Sequence, residues 1–474
     1  MRTALLAAIV VPVSLALSSP ADAGSIAEAM EKAYLNNPDL NAARAALRAT
    51  DESVAIAKAG WRPQISAFAQ KTYNQYDLNL HGVTTQSGTD SSGNTVTVPI
   101  PDKFDFQNGS VGVTITQQVF DGFQTLNNVK AAEASVYSER ASLKAREIQT
   151  LLSAAQAFAD IALNQDVVVI RKQNMAFLRQ QVTAAKARLA VGEGTKTDVS
   201  LSQSELAQAQ ALLAAAVSQL KQSQAVYVQI VGDAPKGIKQ ASPLAKVIPA
   251  SIDKAVATGW RDHPQILATM YAIDQAGFQV KSAEGQMLPG VVVQGQITNN
   301  TGNSTFTTLN NYSTSSLTAR LNIPIYQGGA EYGQIRQAKE RLGQQQILLD
   351  SVRLDVQKTI VSGLAQYQAS EATISAGMVQ LRAANDALAG VIEERKVGQA
   401  TTLDVLDSQA KVLQAKETLA QAHRDSVVAS YSTVAAMGHL TIEDLRLKVQ
   451  KYDPEEHYDA VKDKWFGLRT VDGR

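Results

Sequence analysis

Ser110-Val-Gly-Val-Thr-Ile-Thr-Gln-Gln-Val-Phe120-Asp-Gly122 is the stretch on which the fold turns. Val111, Val113, Ile115 and Val119 fall on one side of it, with Ser110, Gly112, Thr114, Thr116 and Gln118 on the other. Period-two alternation of this kind predicts a strand with one apolar face. At Asp121-Gly122 the pattern changes. From Phe123 to Leu189 there is neither proline nor glycine, and good helix formers dominate. That composition predicts one helix, whose roughly 65 residues would extend on the order of 100 Å at 1.5 Å each.

The passage occurs twice. Ser316 to Gly328 sets Leu317, Ala319, Leu321 and Ile323 against Ser316, Thr318, Arg320 and Asn322, and a second rod runs from Glu331 to Val397, interrupted by Gly343, Gly363, Gly377 and Gly390. Four landmarks share one offset of 206: Val119-Phe-Asp-Gly122 with Ile325-Tyr-Gln-Gly328, Val191-Gly192 with Val397-Gly398, Thr197-Asp-Val199 with Leu403-Asp-Val405, and Val231-Gly232 with Met437-Gly438 (for example 328−122). Upstream, Asn37-Pro-Asp-Leu40 matches His263-Pro-Gln-Ile266, and Pro63 matches Pro289, both offset by 226 (264−38, 289−63). One unit therefore occurs twice, and the first copy carries 20 extra residues (226−206) between Pro63 and Val119. Leu78 to Asp105, with its Gln86 to Asn94 run of Ser, Gly, Thr and Asp, reads as an exposed polar loop there; the second copy has a shorter one at Asn299 to Ser304.

A third strand sets Val291, Val293 and Ile297 against Gln294, Gln296 and Thr298, and a weakly patterned one lies near Arg62 to Tyr76. Alternation alone fits a soluble sandwich equally well. Length favours the membrane, because segments of about 9 to 12 residues match a tilted strand that crosses a bilayer. Hydrocarbon leaves no backbone donor or acceptor unpaired, so such strands must close into a barrel. The smallest such barrels have about eight strands, and four per chain call for two or more copies. After each rod a glycine turn leads to a returning helix, Thr197 to Ile230 and Thr401 to Ala436. Leu206, Leu213 and Leu220, and Leu403, Leu406 and Leu413, give these helices coiled-coil spacing.

Composition excludes other classes. With 44 basic and 44 acidic residues the chain offers no charge argument for a nucleic-acid partner. It has no cysteine, hence no disulfide framework, thiolate metal site or lipidated cysteine. Met1-Arg2, an apolar run from Ala4 to Leu17 and the small-residue ending Ala21-Asp-Ala23 predict a cleaved secretory signal over 1–23, and no apolar stretch reaches the roughly 20 residues of a spanning helix. Gly192-Glu-Gly-Thr-Lys-Thr197 lacks the Gly-Lys ending and preceding strand of a phosphate loop. His423-Arg-Asp425 lies inside a helical stretch, and histidines 81, 263, 423, 439 and 457 have no ligand spacing. The expectation is no enzyme, no metal and no cofactor.

Ile323-Pro-Ile-Tyr-Gln-Gly-Gly329, Asn37-Pro-Asp-Leu40, Val191-Gly192 followed by Thr197-Asp-Val199, and Val397-Gly398 followed by Leu403-Asp-Val-Leu-Asp407 resemble the TolC family of outer-membrane efflux and type I secretion channels. The likeness spans nearly the whole chain after residue 23, in order and in both repeats. It implies a mainly α protein with a β-barrel part: two tandem repeats of strand hairpin plus long α-helical hairpin, trimerising into a 12-stranded transmembrane β-barrel continuous with a periplasmic α-helical coiled-coil tunnel. The repeats fall at 24–237, with its β-hairpin at about 62–120 and tip near 192, and at 238–440, with its β-hairpin at about 288–326 and tip near 398. A charged, aromatic segment, 441–474, carries Tyr452, Tyr458, Trp465 and Phe466 and is expected around the tube's waist.

The resemblance also implies partners: a periplasmic adaptor, an inner-membrane ABC or RND pump, and outer-membrane lipid. It implies a constriction lined by the acidic pair Asp404 and Asp407, which lie three apart on one helical face, six carboxylates in a trimer. The family's latch, an aromatic residue before the second Val-Gly and a basic one after it, is replaced here by Arg395 and Ala400; a charge pair of Asp198 with Arg395 or Lys396 is the expected substitute. Adaptor docking is expected at the two turns, on Arg188, Leu189, Val191 and Gly192 and on Lys396, Val397 and Gly398, where Glu193 and Gln399 replace the family's usual apolar or small residue. A trimeric surface fibre with a helical stalk is the alternative, but it expects one C-terminal anchor, not an internal hairpin in each repeat.

Overall fold

The computed structural model describes residues 24–77, 85–99, 103–249, 251–303 and 311–473; the expected signal, 1–23, and Ser304 at the end of the second expected loop lie outside them. Two compact units share the elements. One comprises residues up to Leu47, Ser138–Met270 and Leu348–Pro454; the other comprises Arg48–Tyr137, Tyr271–Ile347 and the chain from Glu455 onward.

Each repeat opens with a broken helix. Helices α1 (Ile26–Asn36) and α2 (Pro38–Lys58) meet at Asn37, whose ψ of 122° is the extended conformation that a following proline imposes. The Asn37 side chain accepts from the Leu40 amide (3.0 Å) and donates to the Ile230 carbonyl (3.0 Å), so the break in one helix caps the end of another. In the second copy α5 (Ile252–Asp262) and α6 (Pro264–Gly285) break in the same way at His263, with ψ 122°. The repeated Asn-Pro and His-Pro are thus one structural device.

The strands follow: β1 (Gln64–Asp77), a small ribbon of β2 (Thr85–Thr89) and β3 (Thr95–Pro99), β4 (Lys103–Phe120), β5 (Gly290–Asn303) and β6 (Asn311–Asn322). The main sheet is antiparallel, in the order β1-β4-β5-β6, so β4 and β5 join the two repeats within one chain. Its strands hold 14, 18, 14 and 12 residues, so all but β6 are longer than expected. Pairing continues through Tyr73–Asp77 against Lys103–Gln107, and through Asn299–Thr301, because ladder bonds join backbones and are indifferent to where side-chain alternation ends. Much of what reads as loop in the sequence is therefore strand, including most of Asn299 to Ser304. The first loop contains the β2-β3 ribbon, whose turn is set by Asp90 accepting from the Ser92 and Asn94 amides (both 2.9 Å).

Register puts Ile65, Ile115, Gly295 and Leu317 in one cross-strand row, and Ala67, Val113, Ile297 and Ser315 in the next. This face is apolar and open: Leu317 is 80% exposed and Ile65 68%. A bulge at Gln118–Phe120 ends the regular pairing of β4. Both β1 and β6 remain sheet edges among the described residues.

The rods are α3 (Gln124–Ala190) and α7 (Ala330–Lys396), each of 67 residues, and α7 runs unbroken through Gly343, Gly363, Gly377 and Gly390. The returning helices are α4 (Lys196–Val231) and α8 (Thr402–Ala436). Tyr34, Leu40, Leu151, Phe158, Ile266, Ile360 and Leu440 form the buried core of the first unit. Outside that core α8 is tied to α3 by polar contacts: Arg424–Asp160 (2.7 Å), Gln409–Asn174 (2.9 Å) and the Arg171–Glu417 ion pair. The chain closes with α9 (Pro454–Val461). No described helix is long and apolar enough to cross a membrane.

Candidate functional site

The two helical turns lie in the first unit, and their geometry follows from local sequence. α3 ends with Gly192 at φ 80°, the Glu193 amide donating to Arg188 O (2.9 Å) and the Gly192 amide to Leu189 O (3.2 Å). α7 ends identically, with Gly398 at φ 79° and bonds from Gln399 to Glu394 O and from Gly398 to Arg395 O. Glycine at this left-handed position satisfies the last carbonyls of each rod without strain. Val191 and Val397, just before the glycines, project into solvent, 71% and 72% exposed.

Each return helix begins with a capping box. Thr195 accepts from the Asp198 amide (3.1 Å), while the Asp198 carboxylate accepts from the Thr195 amide (3.1 Å) and hydroxyl (2.6 Å). Thr401 and Asp404 repeat the arrangement at 2.8 and 2.7 Å. Hydrogen bonding holds both carboxyls below their ordinary value, for Asp198 from Thr195 first and Thr402 next, for Asp404 from the Thr401 side chain and then its backbone. A depressed folded-state value means the stabilisation is complete above the ordinary carboxylate value of 3.8 and is lost as pH falls through the lower, folded one. Hydrogen exchange of the Thr195 and Thr401 amides, which the two carboxylates accept, should accordingly remain protected from neutrality to about pH 4 and lose protection only below it; loss of protection near pH 6 would contradict the caps.

Asp404 and Asp407 are both exposed and lie on one face of α8. The expected direct charge pair is not present: among the described residues no ion pair joins Asp198 to Arg395 or Lys396. Lys396 turns to Glu393 (2.7 Å). Arg395 donates to Gln181 Oε1 on α3 (2.9 Å) and to Thr402 Oγ1 on α8 (2.7 Å), and the Thr402 side chain is also among the groups that lower the Asp198 carboxyl. The buried Thr402 side chain therefore ties the end of α7 to the start of α8 and stands beside Asp198 at the start of α4. Burial and the like charge of Arg188 lower the Arg395 guanidinium from its ordinary value, and Asp198 opposes them.

These groups line a cleft of about 500 Å³ that includes Arg188, Glu193, Asp198, Arg395, Lys396 and Thr402. The sequence reading missed Thr195, Thr401, Thr402 and Gln181. The first two carried a legible signal, a threonine three residues before an aspartate at a helix start; the others depend on which helices meet.

The outer membrane efflux protein family model matches residues 29–233 and 261–439. The chain is 43% identical over 450 residues to the outer membrane efflux protein BepC of Brucella suis biovar 1, covering 94% of this chain and 92% of that one. It is 25% identical over 350 residues to the alkaline protease secretion protein AprF of Pseudomonas aeruginosa, covering 71% and 70%. Among solved structures, the Campylobacter jejuni CmeC outer membrane channel superposes with a TM-score of 0.75 at 12% identity, covering 92% of this chain and 89% of that one.

Proposed function

Because the chain belongs to the outer membrane efflux protein family, we propose that three copies close one barrel and that the paired helical turns form its gate and docking end. The protein is an outer-membrane duct for efflux or secretion that reaches into the periplasm. The observation that carries the ring reading is the four-stranded sheet with an open apolar face and, among the described residues, two edges, β1 and β6; the number three comes from the family resemblance. In lipid those edges must pair, and pairing β6 of one copy with β1 of the next satisfies them around a ring.

At the helical turns, Asp404 and Asp407 from three copies form a ring of six carboxylates that attracts cations and repels itself when the aperture narrows. The Arg395–Thr402–Asp198 bridge holds each chain's two turns together against that repulsion. Exposed Val191 and Val397, with Gly192, Gly398, Arg188, Leu189 and Lys396 around them, are the surface offered to a periplasmic adaptor that brings an inner-membrane ABC or RND pump. Relatives named for efflux and for protease secretion leave both cargo classes in this reading, small molecules and proteins.

Three measurements test the barrel and the turns. The chain's lack of cysteine makes Gly398→Cys a unique attachment point. Crosslinking from it in cells should capture an adaptor, and the uncrosslinked channel in mild detergent should have the mass of three chains. In planar bilayers, Asp404→Asn with Asp407→Asn should move the reversal potential in a salt gradient toward zero. A monomer in detergent, or undiminished cation selectivity in the double variant, would refute the corresponding part.

A further inference from the structure

We propose that the C-terminal segment Trp465-Phe-Gly-Leu468 is an interfacial anchor that sets its aromatic and aliphatic side chains among the phospholipid headgroups of the leaflet facing the periplasm, an inference that rests on the barrel reading above. The path of the segment carries it to that level. Within the second unit the tail climbs α2 contact by contact: His457 Nδ1 meets Asp51 Oδ2 (2.9 Å), Asp463 pairs with Lys58 (2.6 Å), and Arg62 donates to Lys464 O (2.8 Å). The climb ends with the Arg62 guanidinium 4.8 Å from the centre of the Trp465 ring.

Arg62 is two residues before β1, and Ile65 is the first outward apolar residue of that strand. Three residues of strand span about 10 Å, and less along the membrane normal because barrel strands tilt by about 35–45°. The headgroup zone extends roughly 5–8 Å beyond the hydrocarbon on each side. Trp465 therefore lies at headgroup depth below the apolar band.

Exposure and charge fit the same partner. Phe466 is 88% exposed and Leu468 104%, an unusual outlay of large apolar surface next to a well-tethered backbone. Lys462, Lys464 and Arg469 flank them against Asp463 and Asp472, and Lys464 Nζ braces the Arg469 carbonyl (2.8 Å). Aromatic side chains beside cations are the composition that settles at a lipid–water boundary, with rings toward the acyl chains and cations toward phosphate. The patch is tethered at Arg62, two residues before the first strand of the sheet, which argues for lipid over a second copy of the chain.

Three full-length single-cysteine proteins test the proposal: Phe466→Cys, Leu468→Cys and, as reference, Ile115→Cys on the apolar face of β4. Each carries an environment-sensitive fluorophore in phosphatidylethanolamine–phosphatidylglycerol vesicles. The expected result at 466 and 468 is loss of iodide quenching and gain of quenching by bromine on the acyl chains, matching the reference. Persistent iodide quenching there, with the reference quenched by brominated lipid, overturns the anchor and leaves the barrel standing. Shielding from both quenchers means burial against protein and also overturns it. A reference label that lipid does not quench removes the barrel reading and the anchor together.

Discussion

Gly122→Ala should abolish the folded channel, whereas Gly328→Ala, at the equivalent place in the second repeat, should be tolerated. Both glycines sit where a strand passes into a rod, and both have left-handed backbones, φ 68° and 75°. For a residue with a Cβ that conformation costs roughly 1–2 kcal/mol. The surroundings separate them. A Cβ on Gly122 would collide with the backbone carbonyl of Gly285 and lie 2.9 Å from Leu288 Cβ, while one on Gly328 meets nothing within 4 Å. The contact is mutual, since a Cβ on Gly285 would strike the Gly122 carbonyl. Backbone cannot swing aside as a long side chain does, so the end of α6 and the start of α3 would have to part. The combined cost should exceed about 4 kcal/mol, the range in which single substitutions stop proteins folding. Thermal denaturation of detergent-purified protein, together with recovery from outer membranes, reads the difference. Equal yields of the two variants would show that the close approach does not matter.

Thr402→Val should raise single-channel conductance several-fold, with little change in the melting of the helical core. The substitution keeps the volume of a buried side chain and removes only the hydroxyl between Arg395 and Asp198. Arg395 then keeps Gln181 but loses its link to α8, and a half-buried cation short of a partner favours opening toward water. Asp198→Ala and Arg395→Ala should act in the same direction. Because the three residues form one chain of contacts, Thr402→Val combined with Asp198→Ala should exceed the larger single effect by little. Full additivity would mean that the two residues act on separate contacts, and unchanged conductance in all three would remove the bridge from the gating scheme.

The tip illustrates how far the sequence reaches. Gly192 and Gly398 mark the turns because a rod must end where its last carbonyls can be capped, which is a requirement met within a few residues. Asp198, Asp404 and Arg395 are legible as charged groups near those turns. Their local capping is legible too, from a threonine three residues before each aspartate, but their contacts with other helices are not, because a carboxylate so placed is captured by its own helix start before it can pair directly with a cation on another helix. Thr402 has no sequence signature: its hydroxyl matters only because α7 ends beside α4 and α8, and Arg395 is 197 residues from Asp198 (395−198). The sheet divides similarly. Alternation identified Val111, Val113 and Ile115 as one face, whereas the extension of β4 to Lys103 and the pairing of β4 with β5 arise from backbone ladders that side-chain pattern does not report.

The amino-acid order alone determined the duplicated unit, the unbroken first rod, the glycine turns and the strands with one apolar face, since each is set by periodicity or by a breaker acting over short distances. Only the tertiary structure decided that Gly122 touches Gly285, that a buried threonine bonded to Arg395 stands beside Asp198, and that the C-terminal segment climbs α2 to the base of the sheet. Those contacts join residues far apart in the chain, and their energies exist only once the packing of helices and strands has brought the groups within a few ångströms of each other.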